Sequence, residues 1–111
     1  MLELICIALG VYYEARGESP LGQLAVASVI VNRTSDPRWP DHACAVIAQP
    51  GQFQFYPPTN PPEHSASIEQ AFAIAQRALE DSIIPATFFS HPGLLKRTSL
   101  LTIDNHEFYL D

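Results

Sequence analysis

The sequence predicts a mostly α-helical α+β domain: a helical bundle around one central buried helix, with a small β element at the end of the chain. Three observations predict it. Apolar residues recur at three- and four-residue steps over residues 2–13, and residues 21–31 are apolar at nearly every position. Thr87-Phe88-Phe89 and residues 100–103, late in the chain, read as short strands. Helices first and strands last is the order of an α+β chain. At 111 residues, 47% apolar and 16% charged, residues 1–111 form one domain with no internal repeat.

Leu2, Ile5, Cys6, Leu9, Tyr12 and Tyr13 give residues 2–15 one buried helical face, and Gly17 ends that helix. Ser19-Pro20 opens the next, with Ser as N-cap and Pro at the first helical position. Leu24, Ala25, Val26, Ala27, Val29, Ile30 and Val31 leave it no polar face, so it is the central helix, ending at Asn32-Arg33. Its Ala25, Ala27 and Ser28 let neighbouring helices come close. Asp41 is positioned to cap a short helix through Ala48, closed by Pro50-Gly51.

Residues 49–64 form a loop holding five of the ten prolines together with Phe53, Phe55 and Tyr56. Stiff prolines flanking aromatics suit a preorganised ligand loop, and Phe53 and Phe55 suit equally well as core anchors pinning it. Ser67-Ile68-Glu69-Gln70 has capping-box spacing, opening a helix with Ile68, Ala71, Phe72, Ala75 and Leu79 on one face and an end near Asp81. Thr87-Phe88-Phe89 and residues 100–103 read as strands, and Asp104-Asn105 turns the chain into His106-Glu107-Phe108-Tyr109.

Composition excludes several functions. A net charge of −6, with one lysine (Lys96) and five arginines, leaves no basic stripe for nucleic acid and no polybasic membrane patch. No apolar stretch approaches the roughly 20 residues of a membrane span. The apolar start is short, interrupted by Glu3, and has neither a basic leader region nor a cleavage site, so it reads as a buried helix and not a signal peptide. Cys6 and Cys44 both lie in apolar settings, which favours two buried thiols, with a disulfide as the alternative. The scattered histidines His42, His64, His91 and His106 give no zinc spacing, so no metal and no cofactor is expected. Nucleophile elbows and glycine-rich phosphate loops are also absent.

Glu14 is the carboxylate with a sheltered setting. It follows two tyrosines at the end of an apolar helix, where a carboxyl group can serve as general acid near neutral pH. The plain alternative is a solvated helix-end glutamate paired with Arg16. Glu14 and Glu18 would share a face on a continuous helix, but Gly17 breaks that geometry. Asp104 and Glu107, flanking His106 in a turn, read as solvated charges.

Residues Tyr13-Glu14-Ala15-Arg16-Gly17-Glu18, Gly22-Gln23-Leu24-Ala25-Val26-Ala27 and Val31-Asn32-Arg33 occur in that order. They are followed by Trp39-Pro40, Cys44-Ala45-Val46-Ile47, Gln49-Pro50-Gly51-Gln52-Phe53, Phe88-Phe89 and His106-Glu107-Phe108-Tyr109. As a set they resemble the SleB-like cell-wall hydrolases of the spore cortex-lytic type over nearly the whole chain. The resemblance implies a lysozyme-like fold and cleavage of peptidoglycan glycan strands, with Glu14 in the place of the catalytic acid. It implies a lytic transglycosylase leaving 1,6-anhydromuramic ends, with a hydrolytic muramidase or a silent peptidoglycan-binding module as alternatives. A metal-dependent peptidase or amidase is a remoter reading.

By the same resemblance Gln52, Phe53 and Tyr56 line the sugar groove, and His106 and Tyr109 close its far wall. Arg16 either steers a substrate carboxylate or braces Glu18, and Glu18 is structural. Two stretches depart from the family: the proline-rich residues 56–62, and residues 94–102, which lack a tryptophan and paired glycines. The leaderless chain looks like a phage endolysin, a monomer made in the host cytoplasm and acting on the wall, with a trimmed domain of a bacterial wall enzyme as the alternative.

Overall fold

The computed structural model describes residues 1–49, 53 and 65–110. Four helices are followed by three strands: α1 (Leu2–Ala15), α2 (Pro20–Thr34), α3 (Ala43–Ile47), α4 (Ser65–Glu80), β1 (Phe88–Ser90), β2 (Leu101–Ile103) and β3 (His106–Tyr109). The expected mostly helical fold with a small sheet is the one observed.

The central helix is α2. Ser19 caps it through its hydroxyl, which accepts from Gly22 N at 3.1 Å, and Pro20 takes the first turn. Every residue from Gly22 to Ile30 is buried. Ser28 survives there because its hydroxyl is used twice, donating to Leu24 O at 2.8 Å and accepting from Ile83 N at 3.1 Å. One main core joins α1 and α2 to α3 and α4 through Ile7, Val11, Tyr12, Leu24, Ala27, Ile30, Val46, Ile47 and Ala75. The tight crossing falls at Gly10, where an added Cβ would stand 2.6 Å from Ile30 Cδ1.

Four details differ from the sequence reading. Asp41 does not cap α3: His42 Nδ1 accepts from Cys44 N at 3.1 Å, and Glu3 of α1 accepts from Ala43 N at 2.7 Å. Helix α4 begins at Ser65, two residues before the capping-box serine, and Leu79 is 42% exposed because Ala71, Ala75 and Ala78 make the buried stripe. Helix α2 runs one residue past Arg33 to Thr34. Cys6 and Cys44 are joined in a disulfide. Glu3 holds the start of α3 against α1, and the two Cα atoms stand 5.0 Å apart, within bridging range.

The sheet is antiparallel in the order β1-β3-β2. Asp104, at φ 51°, turns β2 into β3. Phe108 faces a second core with Ala15, Ala25, Val26, Val29 and Ala86, so the sheet lies against the end of α1 and the flank of α2. Segment 82–86 is fastened to α2 by Asn32. Its amide donates to Ile84 O at 2.6 Å and Ala86 O at 2.8 Å, and its carbonyl accepts from Ser82 Oγ at 2.7 Å. Among the described residues no helix is long and apolar enough to cross a membrane.

Candidate active site

Glu14 stands half-buried in the last turn of α1, between the buried Ala15 and the half-buried Tyr13. Helix α1 stops one residue later. Arg16 leaves helical geometry at φ −58°, ψ 131°, and Gly17 takes φ 91°, a region that favours glycine. The Tyr12 and Tyr13 rings meet edge-on at 4.9 Å just before it. Arg16 folds back along α1, donating Nη1 to Tyr12 Oη at 2.6 Å with its guanidinium 4.8 Å from that ring's centre. Of its two expected roles, bracing Glu18 is not seen: the described contacts of Glu18 go elsewhere.

Glu18 reaches across to the β2–β3 turn. Its Oε1 accepts from Asn105 N at 3.1 Å and its Oε2 from Asn105 Nδ2 at 3.3 Å. His106 Nδ1 also lies 3.1 Å from Oε1, within ion-pair distance but out of line for a good hydrogen bond. Burial pushes the His106 pKa below its usual value; the Glu18 charge pulls the other way and the nearby His91 adds to the lowering. The imidazole is therefore neutral near pH 7. His91 stacks on it at 5.5 Å and Phe89 meets it edge-on at 5.2 Å.

The two acids flanking His106 are hydrogen-bonded as well as solvated, Asp104 exposed and Glu107 half-buried. Asp104 Oδ2 accepts from Ser19 N at 2.8 Å and Ser19 Oγ at 2.5 Å, and those hydrogen bonds hold its carboxyl below the usual range. Glu107 Oε1 accepts from Gly93 N at 2.7 Å and Tyr109 Oη at 3.2 Å. Alternation along β3 sends His106 and Tyr109 to opposite faces. Tyr109 is 1% exposed, with the Arg97 guanidinium 4.8 Å from its ring centre. The structure thus places His106 beside Glu18, and Tyr109 beneath Arg97.

Phe53 is 2% exposed, so the anchoring reading of its side chain is the one seen. Its ring lies 5.9 Å from Phe89, and the Arg33 guanidinium sits 5.9 Å from its centre. Arg33 is itself buried, donates Nε to Thr87 O at 2.7 Å and stacks on Trp39 and Phe88. Burial, and then the charge of Arg38, lower its pKa to about 10, so it stays a cation. The expected groove residues Gln52 and Tyr56 lie outside the described residues.

Beside the α1 break runs a cleft of about 260 Å³ lined by Gly17, Glu18, Gln23, Ala66, Ser67 and Gln70. Sequence reasoning passed over Gln23, Ser67 and Gln70. A signal existed for Gln23, the one carboxamide in the otherwise apolar run of α2. Among the described residues no group of three or more His, Cys, Asp or Glu side chains is placed to hold a metal ion.

A family model described as Cell Wall Hydrolase matches residues 17–109, so Glu14 and Arg16 lie just before its first matched residue. The spore cortex-lytic enzyme of Halalkalibacterium halodurans is 51% identical over 47 residues, which is 42% of this chain and 14% of that protein. That of Bacillus subtilis is 47% identical over 47 residues, 42% of this chain and 15% of that protein. The matched stretch thus spans a small part of either relative. The catalytic domain of the Bacillus cereus SleB protein superposes with a TM-score of 0.81 at 27% identity, over 96% of this chain and 88% of that one. The catalytic domain of the germination-specific lytic transglycosylase SleB from Bacillus anthracis gives 0.78 at 27% identity, over 96% and 93%.

Proposed function

The chain belongs to the cell wall hydrolase family, and on that premise we propose that it cleaves the glycan strands of peptidoglycan as a lytic transglycosylase, with Glu14 as general acid and then base. The observation that carries the reading is the placement of Glu14. It is a half-buried carboxylate at the abrupt end of a buried helix, three residues before the Gly17 corner that lines an open cleft, in a fold shared with SleB catalytic domains.

In this reading the Glu14 carboxyl protonates the glycosidic oxygen as the bond from the muramic C1 to that oxygen breaks. The resulting carboxylate takes the proton of the sugar's own C6 hydroxyl, whose oxygen closes on C1, and no water is consumed. Ordinary glycosidases set a second carboxyl group across the bond. Here Glu18, Asp104 and Glu107 are each occupied by neighbouring donors, which favours the single-carboxylate route over a hydrolytic muramidase. Phe53 and Tyr109 serve as buried supports, His106 holds Glu18, and Arg16, with Gln52 and Tyr56, contacts substrate.

We further propose that the protein acts as a monomer at the cell wall, as a phage endolysin. The Cys6–Cys44 disulfide supports action outside the cytoplasm, since such bonds persist in oxidising compartments. Digestion of purified peptidoglycan by wild type and Glu14→Gln, read by mass spectrometry, tests the chemistry. Anhydro-muropeptides from wild type alone are expected. Reducing muropeptides would replace the transglycosylase with a muramidase, and wall binding without products would leave a binding module. Lysis of a host culture from within, only when its membrane is permeabilised, tests the endolysin role.

A further inference from the structure

From the chemistry of its lining we infer that the cleft beside the α1 break is a subsite for a neutral secondary amide: the N-acetyl group of a sugar in the strand. This rests on the proposed glycan-strand activity and names one recognition element within it. The cleft has two walls, the Gly17–Glu18 corner with Gln23 on one side and the first turns of α4 on the other. At about 260 Å³ it falls below the ~300–1,000 Å³ of pockets that enclose whole drug-sized ligands, so it is sized for a substituent.

Gln23 carries the argument. It is 6% exposed, and its Nε2 donates to Glu18 O at 3.1 Å. That bond fixes the carboxamide plane and leaves Oε1 as an acceptor that no donor meets among the described residues. An oriented, accessible and unused acceptor on an otherwise buried side chain lining a cleft suits an incoming N–H. Opposite it, the Ser67 hydroxyl and the Gln70 carboxamide make no hydrogen bond among the described residues and can donate to a carbonyl. An acetamido group needs that pair: one acceptor for its N–H and one donor for its C=O.

Charge narrows the ligand further. Glu18 lines the cleft and the imidazole beside it is neutral, so the cleft presents negative charge and disfavours a lactyl or peptide carboxylate. At Gly17 nothing lies within 4 Å of where a Cβ would stand, which leaves the mouth open. A second cleft, about 350 Å³ and lined by Asn32, Ser82, Ile83, Ile84 and Pro85, makes a useful contrast. Its Asn32 and Ser82 are already spent on one another and on backbone carbonyls.

The test follows backbone amide NMR signals of the full chain titrated with chitotetraose and, separately, with cellotetraose, which is neutral and lacks the acetamido groups. The N-acetylated probe is expected to shift Gly17, Gln23, Ser67 and Gln70, and cellotetraose to leave them in place. Gln23→Met should weaken binding about tenfold or more, the loss of one oriented hydrogen bond. The Ser67→Ala, Gln70→Ala double variant should do the same at helix positions where alanine is tolerated. Equal shifts from both probes, shifts away from the cleft, or wild-type affinity in the double variant would overturn the inference. Digestion of peptidoglycan by the same samples separates the two readings. Digestion without cleft shifts removes the subsite and keeps the activity; cleft shifts without digestion do the reverse.

Discussion

His106 Nδ1 lies 3.1 Å from Glu18 Oε1. A buried imidazole on β3 thereby meets the carboxylate that follows the break in α1, and Asn105 grips the same carboxylate through its backbone and its side chain. This side chain, with the Asp104–Ser19 hydrogen bonds beside it, couples the sheet to the corner that carries Glu14.

The coupling has a pH signature. Burial lowers the folded His106 pKa below the 6.5 of the unfolded chain, so the unfolded state binds a proton first on acidification. Stability from this group is full above pH 6.5 and is lost as pH falls from 6.5 through the lower folded value. Thermal unfolding should show a falling Tm across that window, and His106→Gln should flatten it. The lowered carboxyls of Asp104 and Asp36 act only near and below their usual 3.8, so they do not blur the window. An unchanged slope in His106→Gln would refute the assignment.

Glu14→Gln keeps the shape of the side chain and removes its proton chemistry. Lysis of purified walls should fall at least about 100-fold, the usual minimum for a lost general acid. Wall binding and the unfolding midpoint should stay close to wild type. Residual activity above about one per cent would move the chemistry to another residue.

The disulfide joins residues 38 apart, and closing a loop of that length stabilises by about 4 kcal/mol on the chain-entropy model. Reduction should lower Tm by on the order of 10–15 °C for a chain of this size. Cys6→Ala with Cys44→Ala should behave alike and become insensitive to reductant. A shift under about 3 °C would mean that Glu3, with its hold on Ala43 and His42, keeps α3 in place alone.

Helices α1 and α2 were legible because their signals are local: an apolar repeat, a Ser-Pro start and a glycine stop. What was missed depends on partners distant in sequence. The start of α3 is capped by His42 on Cys44 N and by Glu3, 40 residues away, on Ala43 N, so the more usual capping residue Asp41 attracted the assignment. The disulfide follows from that same docking, which no feature of either cysteine's neighbours encodes. Phe53 reads equally well as groove or anchor until Arg33 is found buried against it. Glu14 at the end of its helix was readable, but Gln23 was hidden by the apolar run around it.

Asn32 offers the sharpest test of how the sheet is hung on the bundle. Its carboxamide meets Ile84 O, Ala86 O and Ser82 Oγ, more than fifty residues on apart from Ser82 at fifty. In Asn32→Leu, Ala86 O loses the donor it has from Asn32, while Ile84 O keeps the Ser82 hydroxyl at 3.0 Å. Three lost bonds, one of which leaves a carbonyl unsatisfied, should cost about 2–3 kcal/mol. Asn32→Asp should cost more, because a carboxylate then faces two carbonyl oxygens. Denaturant unfolding with an unchanged m-value reads the difference directly. Equal midpoints for Leu and Asp would show that shape at this position, and not the donor pair, fastens segment 82–86 to α2.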